Sequence, residues 1–271
     1  MGHTWVNIAC GLSFVEGWQN FDYEPASSAV TRANLLGRLP LDDGVADAVY
    51  CSHFLEHIPR ARVDGFLAEC FRIMKPGGRI RLVLPDLEEL CREYLRQRDA
   101  GAHEKADFVV LEMLDQCVRT RTGGELGDYF GLLARSGAAD MKAYVADRTG
   151  AYFLEAGPER GEEGIAGRMR RPLKIREHLQ RIYCRALTCL LPAAFLEQNV
   201  SFAGIGERHA WVYDFHGMSA LLERAGFIAV QKMQCDRSEI EKFPLQALDL
   251  ASSGRPRKGR ESMYVEARKA P

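Results

Sequence analysis

His53, Glu56 and His57 sit within one short stretch, Cys51-Ser52-His53-Phe54-Leu55-Glu56-His57, and Asp86 follows a second apolar run from Arg79 to Leu84. An imidazole near a carboxylate can take and return a proton, because histidine titrates close to neutrality. The stretch also satisfies H-x-x-E-H, in which two histidines four apart on a helix hold zinc and the glutamate serves as base. A third ligand would then have to come from Glu112 or Glu125. The context opposes a metal: a buried strand precedes the motif, and Pro76-Gly77-Gly78 with another strand follows it. No metal is expected.

The elements around these residues alternate strand with helix. Apolar runs predict strands over Trp5–Ala9, Trp18–Asp22, Ala29–Leu35, Ala46–Cys51, Arg79–Leu84, Phe227–Gln234 and Ser262–Arg268. Val63, Phe66, Leu67, Cys70, Phe71 and Met74 recur at helical spacing, and Pro76-Gly77-Gly78 stops that helix. Further helices are predicted over Leu87–Arg98, Ala106–Arg119, Arg176–Leu191 and Phe215–Ala225. Thr122–Gly127 reads as a glycine-rich break, residues 135–167 show no firm period, and Arg255–Arg260 reads as a basic loop. Strand–helix–strand passages of this length predict an α/β fold, a parallel Rossmann-like sheet with helices on both faces. Residues 1–98 and 215–271 would build that sheet, and 99–214 a helix-rich insertion or lid over the strand ends. Ligands of such sheets bind outside the carboxyl ends of the strands.

Composition narrows the function classes. The chain has 271 residues, 46% of them hydrophobic, and a formal net charge of −1. A charge so close to zero gives no nucleic-acid signature. No run reaches the ~20 apolar residues that span a bilayer, and the amino terminus lacks a secretory pattern, so a cytoplasmic location is expected. None of the eight cysteines forms a C-x-x-C pair, which predicts reduced thiols.

In order and spacing, several segments together resemble the class I S-adenosylmethionine-dependent methyltransferases, and in particular the compact type 11-like proteins often associated with glycan biosynthesis. They are Val6-Asn7-Ile8-Ala9-Cys10-Gly11, Gly17-Trp18-Gln19-Asn20-Phe21-Asp22, Leu39 through His57, Arg72 through Glu88, Leu114 through Arg119 with Gly123-Gly124-Glu125, His209 through Asp214, Ala225-Gly226-Phe227, and Ser262 through Ala267. The resemblance implies that Ala9, Cys10 and Gly11 form the turn against the methionine part of the cofactor. It implies that Asp22 accepts the ribose hydroxyls, that Asn34 and Leu35 lie near the adenine, and that Cys51, Ser52 and His53 line the cofactor edge. S-adenosyl-L-methionine is the implied cofactor, and methyl transfer to an oxygen of a sugar or other small metabolite the implied reaction. His53, His209 and Asp86 are the candidate catalytic residues, although Asp86 is favoured as a helix cap. The motif around Gly11 keeps one glycine, and seven residues separate it from Gln19. That is short for a crossover helix and motivates an alternative: a catalytically inactive binding or scaffold protein of the same fold in a glycan-assembly system.

Other polar groups have bland readings beside functional ones. Asp115, Gln116, Arg119 and Glu125 suit an acceptor-binding lid or a salt-bridged helix end. His209, Trp211, Tyr213 and Asp214 suit a sugar or planar acceptor, or a packed hinge. The basic run from Arg168 to Arg185, continuing into the helix to Leu191, suits a solvated face, with peripheral membrane contact as the functional reading. The expected partner is a small-molecule or glycan acceptor.

Overall fold

In the computed structural model of the chain, residues 3–155, 182–184 and 186–271 are described. Their strands are β1 (Trp5–Ile8), β2 (Gln19–Asp22), β3 (Thr31–Arg32), β4 (Ala46–Ser52), β5 (Met74–Pro85), β6 (Phe227–Met233) and β7 (Ser262–Lys269). They form one sheet in the order β3-β2-β1-β4-β5-β7-β6. The first five strands pair in parallel. β7 inserts antiparallel between β5 and β6, so the sheet is mixed where the sequence predicts a parallel one. Residue alternation reports which face a side chain takes, and it carries no information on strand direction.

β5 begins earlier than predicted. Met74 pairs with Ala46 and Arg79 with Ala48, so Pro76-Gly77-Gly78 bulges out of a continuing strand instead of separating it from a helix. The helix before it, α1 (Arg60–Ile73), buries Val63, Phe66, Leu67, Cys70 and Ile73 against one sheet face. α7 (Phe215–Arg224) adds Met218 and Leu222 to the same core.

The opposite face is covered by the connection between β6 and β7. Ile240, Phe243 and Leu248 from that connection pack on Ala48, Tyr50, Val83 and Tyr264. Arg81 lies fully buried there, its guanidinium bonded to Asp249 at 2.7 Å and Glu266 at 2.7 Å. The Tyr50 hydroxyl donates to the same Asp249 at 2.7 Å.

No helix joins β1 to β2, β2 to β3, or β3 to β4. Two buried asparagines organise the first of these links in its place. The Asn20 side-chain amide donates to the carbonyls of Val15 (2.8 Å) and Trp18 (3.1 Å), and Asn7 donates to that of Ser13 (3.0 Å). These bonds tie the loop backbone to the strands on either side of it.

Between β5 and α7 come α2 (Leu87–Asp99), α3 (His103–Val118), α4 (Gly124–Arg135), α5 (Ala139–Thr149) and α6 (Ala193–Asn199). They include a core of their own around Phe108, Leu126, Leu133, Met141 and Val145. The predicted break over 122–127 is where α4 starts, and α5 falls in the stretch without a period. The helix predicted over 176–191 and the basic run 168–185 lie largely outside the described residues. Among the described residues no helix is long and apolar enough to cross a membrane.

Candidate active site at the strand ends

The carboxyl ends of β1, β2, β4 and β5 bring their polar residues to one edge of the sheet. After β1 the chain turns sharply, with Ala9 at φ 57° and Gly11 at φ 53°. The Gly11 amide donates to Asp22 Oδ2 at 2.8 Å, and the Glu24 amide to Asp22 Oδ1 at 2.9 Å. Turn and acid are therefore one unit. A Cβ built on Gly11 would meet nothing within 4 Å, so backbone is exposed there for a ligand to approach.

Other residues of this half serve the scaffold. Cys10 is buried, and burial, helped by the charge of Asp22, pushes its thiol up to about 12. Leu35 and Cys51 point into the main core; a cofactor would meet their backbone, not their side chains. Asn34 accepts from the Leu36 amide at 3.2 Å and so shapes its own turn. Ser52 ends β4, half-buried.

His53 follows it with φ 50°, a left-handed conformation uncommon for a side chain with a Cβ. This turn defeats the H-x-x-E-H geometry: only Leu55–His57 form a short helical turn, so His53 and His57 do not share a helix face. His53 Nε2 lies 2.9 Å from Ser262 Oγ, and Nδ1 lies 3.4 Å from Glu56 Oε1. Burial first, then the positive charge of Lys258, holds its imidazole well below the ordinary range. The ring of His209 packs on that of His57 with centroids 4.8 Å apart. Burial and His57 lower His209 to about 3. Glu56 is 1% exposed, and burial pushes its carboxyl up to about 8.

Asp86 is placed differently. It caps α2 by accepting from the Glu88 amide at 3.0 Å, and it pairs with Lys232. It lines a separate, charged depression with Arg92 and Arg260. This geometry gives it the cap role.

His53 and His209 both line a cavity of about 920 Å³ between the strand ends and the insertion. Leu12, next to the Gly11 turn, borders the same cavity, as do Gln116 from α3, Leu126 from α4 and Glu261 ahead of β7. Asp115 and Arg119 are committed elsewhere, paired with each other at the start of α4, and Glu125 pairs with Arg121 at 2.9 Å. Glu112 is bonded to the buried Arg148 at 2.7 Å, and neither it nor Glu125 falls in the group of potential metal ligands formed by Glu56, His57 and His209. Trp211 stacks under Arg60 instead of facing the cavity. Sequence reasoning missed Glu261, Ser262 and Lys258, because the loop before β7 carries no pattern that brings it to the strand ends.

Residues 17–82 match the family model described as a methyltransferase domain. That segment holds Asp22, β4 and the stretch through His57. The fold is that of a class I S-adenosylmethionine-dependent methyltransferase. Among solved structures, the chain is similar to a methyltransferase from Archaeoglobus fulgidus, at 13% identity and TM-score 0.41, over 98% of this chain and 86% of that one. It is also similar to a possible histamine N-methyltransferase from Thermotoga maritima, at 12% identity and TM-score 0.40, over 99% and 83%. No curated protein matches the chain. The cofactor of this methyltransferase fold is S-adenosyl-L-methionine, and the residues present fit it: an open glycine turn adjoins an acid at the end of the next strand. Ala9 to Gly11 and Asp22 would hold it.

Proposed function

We propose that the chain transfers a methyl group from S-adenosylmethionine to an oxygen of a sugar or other small metabolite. One observation carries the reading: the glycine turn and the two cavity histidines border one cavity, through Leu12, His53 and His209. A cofactor seated on the turn and an acceptor in the cavity would meet there. The cofactor supplies an activated methyl group. The chain supplies alignment, which accounts for most of the acceleration in such transfers, and exclusion of water by the helices above. In this reading His53, which lines the cavity, receives the acceptor's proton, and His209 borders the acceptor beside it. Asp86 has no part in this reading.

Incubation with cofactor labelled in its methyl group and a pool of saccharides and small hydroxy metabolites tests it. Label in an acceptor supports the proposal, and binding of cofactor without transfer to any acceptor favours the scaffold reading. The missing helix between β1 and β2 supports that second reading, because no helix amino terminus then faces the Gly11 turn. Asp22→Ala is expected to weaken S-adenosylhomocysteine binding by roughly 10- to 100-fold, the equivalent of a charge-assisted hydrogen bond. Isothermal titration measures it, and equal affinity would remove Asp22 from the site.

A further inference from the structure

Beside the cavity residues His53 and His209, Glu56 and His57 bring together lone pairs that share no proton when Glu56 is ionised. Both carboxylate oxygens of Glu56 are buried and lack a hydrogen-bond partner. His57 Nδ1 lies 2.7 Å from the Arg208 carbonyl oxygen. A carbonyl only accepts, so Nδ1 carries the proton and Nε2 is left with its lone pair. That Nε2 lies 3.8 Å from Glu56 Oε1. His53 repeats the arrangement. The Ser262 hydroxyl has two acceptors for its single proton, the Lys258 carbonyl at 3.2 Å and Glu261 Oε1 at 3.2 Å. With that proton given to either of them, it accepts from His53 Nε2, and the lone pair of Nδ1 then faces Glu56 at 3.4 Å.

We propose that Glu56, His57 and His209 bind a divalent transition-metal ion of the zinc type. One ligand atom from each lies within 4.8 Å of the other two. Bonds of about 2.0–2.2 Å in a tetrahedral site set ligand atoms roughly 3.3 Å apart, so small rotations of these side chains close the set. Two imidazoles and one carboxylate are donors that zinc, iron, cobalt and nickel accept. The bond from His57 to the Arg208 carbonyl is the outer contact that fixes the tautomer of a metal-bound histidine. A buried carboxylate with no donor is costly, and a cation among these groups removes that cost. His53 Nδ1, 3.4 Å from Glu56 Oε1, is a further donor.

This reverses the expectation from sequence that no metal is bound, and it uses a ligand that H-x-x-E-H does not contain. The Ala210 amide already donates to the Glu56 carbonyl at 2.6 Å. An ion there would fasten residues 208–211 to the turn after β4, and it would place positive charge beneath the acceptor. The site does not depend on methyl transfer.

The full chain, stripped with chelator and dialysed first against zinc and then against metal-free buffer, is expected to retain about one equivalent of zinc by mass spectrometry. Zinc should also raise its melting temperature. Glu56→Gln and His209→Asn, both close in shape to the originals, should lose the retained zinc and the shift. Circular dichroism reports whether each variant is folded, and either folded variant suffices. Absence of retained zinc in the parent protein would overturn the site in favour of a neutral, protonated Glu56. Equal retention by a folded variant would place the zinc elsewhere, at the exposed cysteines for example, and overturn it as well.

Discussion

The two halves of the sheet solve the same problem with different materials. On the β1–β3 side, loops replace crossover helices, and two neutral asparagines hold the first link in place. On the β4–β7 side the interior holds charge: Arg81 with Asp249 and Glu266, and Arg148 with Glu112 in the helices above. The light half leaves an open backbone turn beside an acid, which suits a cofactor with many polar groups of its own. The heavy half builds a walled cavity, which suits selection of an acceptor. Buried charges need partners from distant elements, and so Arg81 ties the sheet to the β6–β7 connection while Arg148 ties α5 to α3.

The contrast predicts unequal costs of mutation. Arg81→Met should have the largest effect, about 3–5 kcal/mol of stability, because it leaves Asp249 and Glu266 buried without their cation. Urea unfolding measures it, and a loss under about 1 kcal/mol would mean that this face is not organised by charge. Asn20→Ala should cost less, about 1–3 kcal/mol, by removing its bonds to the Val15 and Trp18 carbonyls. Its signature is local: faster hydrogen exchange over residues 9–18 with β4–β7 unchanged. Uniform loosening of the whole sheet would erase the distinction between the halves.

The smallest expected effect depends on pH. Burial raises the Glu93 carboxyl, but hydrogen bonds from Arg96, Gln97 and Tyr144 outweigh it and hold the group down to about 2, below the ordinary 4.5. Its contribution is therefore present above about pH 4.5 and lost as pH falls toward 2. With Arg96 largely exposed, the contribution is at most about 1 kcal/mol. The stability gap between the parent and Glu93→Gln should narrow between pH 6 and pH 3 in urea titrations. A constant gap would contradict the assignment.

Much of the architecture could be read in the sequence, because burial imposes a period on each element. Val49 and Cys51 face one core while Ala48 and Tyr50 face the other, and α1 repeats its apolar residues at helical spacing. The ends of those strands located Gly11, Asp22 and His53. The direction of β7 was hidden, since alternation is the same either way. The group around Glu56 was hidden for another reason: Glu56 comes near His209, and His53 meets Ser262, only through the fold. No local pattern marks such pairs. Asp86 shows the converse: its position at a strand end suggested chemistry, and a local cap with one distant lysine accounts for it.

The structure of the complex with S-adenosylhomocysteine tests most directly whether the light and heavy halves form one methyl-transfer site. The account predicts ribose hydroxyls on Asp22, backbone contacts along Ala9 to Gly11, and the sulfur directed toward the cavity between His53 and His209. Ligand bound away from the Gly11 turn, or absent from it at millimolar concentration, would contradict it.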